Sequence, residues 1–147
     1  LANSEDGLGL VVIDYLQLVS SGSRRVESRQ VEVSEISRSL KTMALELGVP
    51  VIALSQLSRS AEKRESNQPM LADLRESGSL EQDADMVLFI NRKDYYEKAK
   101  DFNQKIVPAE LIIAKHRKGG LGTVNLLFEL NMSSFKSQLK ATGDENE

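Results

Sequence analysis

Residues 8–18 read LGLVVIDYLQL. At the centre of this stretch, Leu10 to Ile13 form an unbroken apolar run closed by Asp14. A short apolar run bounded by glycine reads as a strand buried on both faces of a parallel sheet. The segment that follows, Leu18 to Arg29 (LVSSGSRRVESR), is rich in Ser, Gly and Arg and reads as a basic loop. Val33, Ile36, Leu40, Met43 and Leu47 then recur at steps of three and four, which predicts an amphipathic helix ended by Gly48 and the nearby Pro50. Val49 to Leu54 predicts a second apolar strand, ending at Ser55-Gln56, and Ser58 to Pro69 a polar loop. Ser79 to Asp85 suits a short helix with Ser79 as N-cap, and Met86 to Ile90 (MVLFI) a third buried strand. After a charged excursion over Asn91 to Pro108, Ala109–Lys115 and Thr123–Phe128 predict two strands joined by the turn Lys118-Gly119-Gly120-Leu121-Gly122. Strand, helix, strand, helix, strand and hairpin together point to an α/β domain with a mainly parallel sheet and a C-terminal β-hairpin.

Composition narrows the functions this architecture can serve. With 147 residues, the chain is one ordinary domain. Its 40% hydrophobic and 28% charged residues are the balance of a soluble globular protein, and no apolar run is long enough for a membrane span. The first ten residues, LANSEDGLGL, lack the basic and apolar regions of a signal peptide. The absence of Cys excludes disulfides and thiolate metal sites, and a single His argues against a zinc centre. A cytoplasmic setting is the expectation. A net charge of -3 means that any polyanion site must be local, and the scarcity of aromatics (5%) argues against base-stacking platforms.

Four segments carry chemistry. Asp14 directly follows a strand, and ligands of open α/β sheets bind beyond the carboxyl ends of the strands. A carboxylate there can hold a hydrated Mg²⁺ beside a nucleotide phosphate, or simply cap a turn. Gln56 stands at the equivalent edge of the next strand, where a neutral amide can contact a phosphate oxygen, orient a water or satisfy a loop. Lys115 and Arg117 are two apart and would share a strand face, with His116 opposite, so two cations would project from the base of a glycine-rich hairpin. A solvated basic hairpin would have the same pattern, and His116 reads as structural. Asp73-Leu74-Arg75-Glu76-Ser77-Gly78-Ser79 precedes the short helix and offers either a phosphate cradle or a capping loop.

Taken in order, VVIDYLQL, ALSQLSR, DLRESGSLEQDADMVLFI and IIAKHRKGGLGTVNLLFE resemble the C-terminal RecA-like motor domain of bacterial replicative DNA helicases of the DnaB type. The resemblance covers roughly residues 8 to 130, and its motifs are specific as a set rather than singly. It implies residues 1–136 as the C-terminal portion of a RecA-like ATPase domain, with 137–147 a polar tail. It implies ATP and Mg²⁺ as cofactors, with Asp14 as the Walker B acid on the metal and Gln56 as the sensor of the γ-phosphate. Arg75, Glu76 and Gly78 match the family loop that grips the single-stranded DNA backbone, and Arg24 and Arg25 fall in a second channel-facing segment. Lys115 and Arg117 match the basic pair that reaches the ATP site of the adjacent subunit, Arg117 as arginine finger. A hexameric ring, a primase and a helicase loader are the partners that the resemblance brings.

The sequence departs from the family at one decisive place. No GxxxxGK[ST] occurs, and the family's upstream catalytic glutamate has no counterpart. The expectation is a chain that begins after the P-loop half of the motor, leaves an unpaired sheet edge and exposed apolar surface, and hydrolyses no ATP alone. A RecA-like recombination or repair ATPase would share Asp14 and Gln56 but less readily the DLRESGSLEQDAD and KHRKGG segments. A non-catalytic DNA-binding or interaction module that had lost its P-loop is the alternative of a different class.

Overall fold

The structure is a computed structural model and describes residues 7–19, 28–58, 64, 68–92, 94 and 105–138. Its elements run β1 (Val11–Ile13), a 3₁₀ turn (Leu16–Leu18), α1 (Arg29–Leu47), β2 (Val51–Ala53), a 3₁₀ helix (Leu71–Ser77), α2 (Gly78–Asp83), β3 (Met86–Asn91), β4 (Ile106–His116), β5 (Gly122–Glu129) and β6 (Ser134–Ser137). They fall into two compact units, residues 1–64 with 70–85 and residues 65–69 with 86–147.

In the first unit, β1 and β2 pair in parallel with Val11 opposite Val51, Val12 opposite Ile52 and Ile13 opposite Ala53. The α1 crossover between them is what a parallel pair requires. The helix starts at Ser28, whose hydroxyl accepts a hydrogen bond from the Val31 N–H, and ends at Gly48 in the left-handed region (φ 64°). That conformation suits a residue without Cβ, which is why the helix stops where the sequence places glycine. Val33 and Ile36 of the predicted stripe are buried, as is Leu16 of the 3₁₀ turn and Leu74 of the 3₁₀ helix. The stripe opens toward its end, where Leu47 is exposed. Ser37 is buried too, because its hydroxyl donates to Asp83 Oδ2 of α2 at 2.7 Å. One turn later, Lys41 pairs with Asp85. The helix predicted from Ser79 begins one residue earlier, at Gly78, as the 3₁₀ helix runs directly into it. Ser79 is therefore inside the helix rather than its N-cap.

The expectation of burial on both faces fails for β1 and β2. Val12 and Ile52, opposite each other in register, are 57% and 49% exposed, and Leu10 and Leu54 continue the same open apolar face. Among the described residues of this unit, no second layer covers it.

The second unit is a four-stranded antiparallel sheet in the order β3-β4-β5-β6. Where the sequence pattern suggests a mainly parallel arrangement, the protein is α/β with one parallel pair and one antiparallel sheet. The expected β4–β5 hairpin is present. In β3, Val87, Phe89 and Asn91 are buried while Met86, Leu88 and Ile90 are exposed. That alternation belongs to a sheet covered on one face. β4 starts at Ile106, so Pro108 lies within a strand rather than at the end of a loop. Its missing N–H is tolerated because β3 pairs with β4 only as far as Asn91 opposite Glu110, so among the described residues Ile106–Ala109 pair on the β5 side alone. The β3–β4 register shifts by one between Val87 and Leu88, with Val87 opposite Lys115 and Leu88 opposite Ile113, so Ala114 is the extra residue of a β-bulge. Strand β6, which has no periodic signal in the sequence, is stitched to β5 with Phe135 opposite Phe128, ring centroids 4.8 Å apart.

Candidate functional site

The parallel pairing sets the carboxyl ends of β1 and β2 at one edge. Beyond the last registered pair, the Leu54 N–H donates to the Ile13 carbonyl at 2.9 Å, and the Leu16 N–H donates to the Leu54 carbonyl at 2.9 Å. These bonds hold the two chains side by side past the strands, so Asp14 and Gln56 emerge from the same edge. Both are exposed. The Asp14–Tyr15 peptide bond is cis. An exposed carboxylate and an exposed amide beyond the carboxyl ends of parallel strands have the chemistry to handle a hydrated cation and a phosphate oxygen. Among the described residues, no three His, Cys, Asp or Glu side chains converge to hold a metal.

A residue that the sequence reading does not single out completes this edge. The Gln17 side-chain amide donates to Ser55 Oγ at 3.1 Å and to the Gln56 carbonyl at 3.2 Å, and its oxygen accepts from the Gln56 N–H at 3.3 Å. The Gln17 backbone carbonyl in turn accepts from Nη2 of Arg29, the first residue of α1, at 2.8 Å. In the sequence, only the recurrence of Gln within LQL and SQL hints at it.

Asp73, Arg75, Glu76 and Gly78 lie on the segment that enters α2. Asp73 is 2% exposed and has a structural role, since its carboxylate accepts from the Met70 N–H at 2.9 Å and pairs with Arg64. The Ser58 N–H donates to the Asp73 carbonyl at 3.1 Å. Asp73 thus anchors the base of the 3₁₀ helix that carries Arg75 and Glu76, and α2 opens at Gly78. The side chains of 75–78 are not among those described. Arg24 and Arg25 lie outside the described residues.

Lys115 and Arg117 belong to the antiparallel unit. Lys115 is in β4, paired with Val87, whereas β4 ends at His116 and Arg117 is the first residue of the exposed turn. The expected shared strand face therefore does not hold, because the alternation of a strand cannot be carried into a turn. His116 has a packing role: a Cβ at Gly119 would lie 2.2 Å from its Cε1, so the imidazole occupies the space that a side chain at Gly119 would need.

Comparison with known proteins places this arrangement in a family. Residues 1–137 match the DnaB-like helicase C-terminal domain, and the chain belongs to that family. It is 59% identical over 131 residues to the replicative DNA helicase DnaB of Geobacillus stearothermophilus, and 56% identical over 131 residues to the replicative DNA helicase DnaC of Bacillus subtilis. Each match takes in 89% of this chain but 28% of the relative, so the chain spans a little over a quarter of those proteins. Among solved structures, an ATPase domain superposes with a TM-score of 0.78 at 51% identity, over 88% of this chain and 44% of that one. A DnaB-like replicative helicase, described with its interactions with primase, gives the same TM-score of 0.78 and 51% identity, over 88% of this chain and 31% of that one. No helix among the described residues is long and apolar enough to cross a membrane.

Proposed function

We propose that this chain is the nucleotide-sensing and DNA-contacting part of an ATP-driven replicative DNA helicase, which translocates on single-stranded DNA and unwinds duplex. The observation that carries the reading is the edge formed by two parallel strands in register, with Asp14 and Gln56 both exposed beyond their carboxyl ends in a chain of the DnaB-like family. Mg²⁺-ATP, when bound, supplies the phosphoryl group whose transfer to water drives the motor. Asp14 orients the water shell of the cation, and Gln56 contacts the terminal phosphate and responds to its loss. Arg75, Glu76 and the backbone at Gly78 grip the DNA backbone, which favours recognition of the strand rather than its sequence. Arg24 and Arg25 add a second channel-facing contact. Lys115 and Arg117 reach the nucleotide of the next subunit in a hexameric ring, and an exposed turn is a suitable place for such a finger because it can extend beyond its own fold. Primase and a helicase loader are the expected partners in the whole protein. The chain by itself, which has no GxxxxGK[ST] to cradle the phosphates, hydrolyses no ATP.

The test is DNA-stimulated ATP hydrolysis by the complete protein, compared with Arg117→Ala. A finger of this kind contributes ~10³–10⁵ in rate, so turnover should fall by at least about 10³-fold while ATP still binds. Turnover that survives in Arg117→Ala, or that is missing from the complete protein while DNA binding is intact, would refute the motor reading.

A further inference from the structure

We propose that Gln17 is a positioning residue for the γ-phosphate response, holding the backbone of Gln56 at both its polar groups and tying it to the start of α1. The inference rests on the reading of Gln56 given above. A glutamine side chain carries one acceptor oxygen and a two-hydrogen donor. Here the oxygen accepts from the Gln56 N–H, and the donor serves the Gln56 carbonyl and Ser55 Oγ. A residue held at its own N–H and C=O cannot rotate its backbone dihedrals without breaking those bonds, so the direction in which the Gln56 side chain leaves the chain is fixed. The contact spans 39 residues of sequence and joins the segments following two different strands.

The second half of the device runs the other way. Arg29 Nη2 holds the Gln17 carbonyl, and Arg29 is the first residue of α1 and is paired with Glu32 in the same turn. Further along, the same helix holds the end of α2 through Ser37–Asp83 and the residues just past it through Lys41–Asp85, and α2 continues the segment bearing Arg75 and Glu76. A displacement of Gln56 is thus delivered to one rigid rod, whose other contacts hold the segment assigned to DNA. Gln17 touches both the sensor backbone and, through Arg29, that rod. Few other side chains could do this: glutamate lacks the donor, methionine lacks both functions, and asparagine is one methylene short.

The experiment is steady-state ATP hydrolysis, with and without single-stranded DNA, by the complete protein carrying Gln17→Met, Gln56→Ala or both. Methionine keeps the length and volume of the side chain, so it separates hydrogen bonding from packing. Loss of the two neutral hydrogen bonds to the Gln56 backbone, together with the third to Ser55 Oγ, should lower the DNA-stimulated kcat of Gln17→Met about tenfold, with KM for ATP within about twofold of the parent. Because Gln17 acts through Gln56, the double variant should match Gln56→Ala rather than show the product of the two losses. A Gln17→Met protein with parental kcat, losses that multiply in the double variant, or a failure of Gln17→Met to assemble would each overturn the proposal. If Gln56→Ala retains the parental DNA-stimulated kcat, the sensor reading itself fails and this inference falls with it. If Gln56→Ala is impaired and Gln17→Met is not, only the inference falls.

Discussion

Helix α2 has six residues, and an isolated helix of that length does not persist in water. Ties to α1 steady it, and the described residues include two of unequal strength, one at the last residue of α2 and one two residues beyond it. The Ser37 hydroxyl, on a residue 5% exposed, donates to a carboxylate oxygen at 2.7 Å. A bond of this charge-assisted kind is worth ~1.5–3 kcal/mol. The Lys41–Asp85 pair has side chains 32% and 63% exposed, which puts it in the class of surface ion pairs worth ~0–1 kcal/mol. Converted to local opening equilibria, Ser37→Ala should accelerate amide exchange in α2 by ~10- to 150-fold. Lys41→Ala should accelerate it by ~5-fold at most. Hydrogen–deuterium exchange of the complete protein, read on peptides covering 78–84, measures both in one experiment. Exchange in Ser37→Ala within about twofold of the parent, or a larger effect from Lys41→Ala, would refute the ranking and with it the view that α1 holds the segment leading into α2.

Three further outcomes follow from the same geometry. Gly119→Ala should cost ~1–3 kcal/mol, because the new methyl collides with His116, and adding His116→Ala should recover most of the lost Tm. Gly48→Ala should cost ~1–2 kcal/mol and Gly48→Asn clearly less, since asparagine tolerates the left-handed region; exchange of the amides over 44–49 reports the difference. The 147-residue chain alone should bind a hydrophobic dye and sediment above its monomer mass, and Val12→Thr with Ile52→Thr should reduce both; a dye-silent monomer would contradict an adhesive open face.

What the sequence makes legible is what local rules govern. The spacing of Val33, Ile36 and Leu40 reveals α1 and the glycine at 48 fixes its end, because helical periodicity and the left-handed end are properties of neighbours in the chain, whereas its start at Arg29 falls four residues before the stripe begins. Asp14 directly follows β1, as expected, whereas β2 ends at Ala53 and Gln56 lies three residues beyond it. Gln17 is not legible: its partners lie 38 and 39 residues away, and an amide contact of that kind leaves no periodic trace. The open faces of β1, β2 and β3 escape the sequence reading because an all-apolar run tells only that a strand is apolar, not how many layers meet it. Pro108 reads as loop because proline disfavours strands in general, and only the early end of β3 makes this position permissible. The link between Lys115 and Arg117 fails where β4 gives way to a turn, a boundary that the run of strand-forming residues does not mark.

The bulge at Ala114 acts on the hairpin as a half-cycle phase shift. Up to Ile113, β4 alternates in step with β3; beyond it, every side chain takes the opposite parity from the one an unbroken ladder would impose. Excising that single residue would restore an unbroken ladder while leaving Lys115 opposite Val87 and His116 opposite Met86, so both would keep their faces and the imidazole its place at Gly119. The bulge is therefore the one place in β4 where a residue can be lost without inverting the basic tip. Loss of Ala114 should be far less damaging than loss of Lys115, which would move His116 opposite Val87 and turn it to the other face.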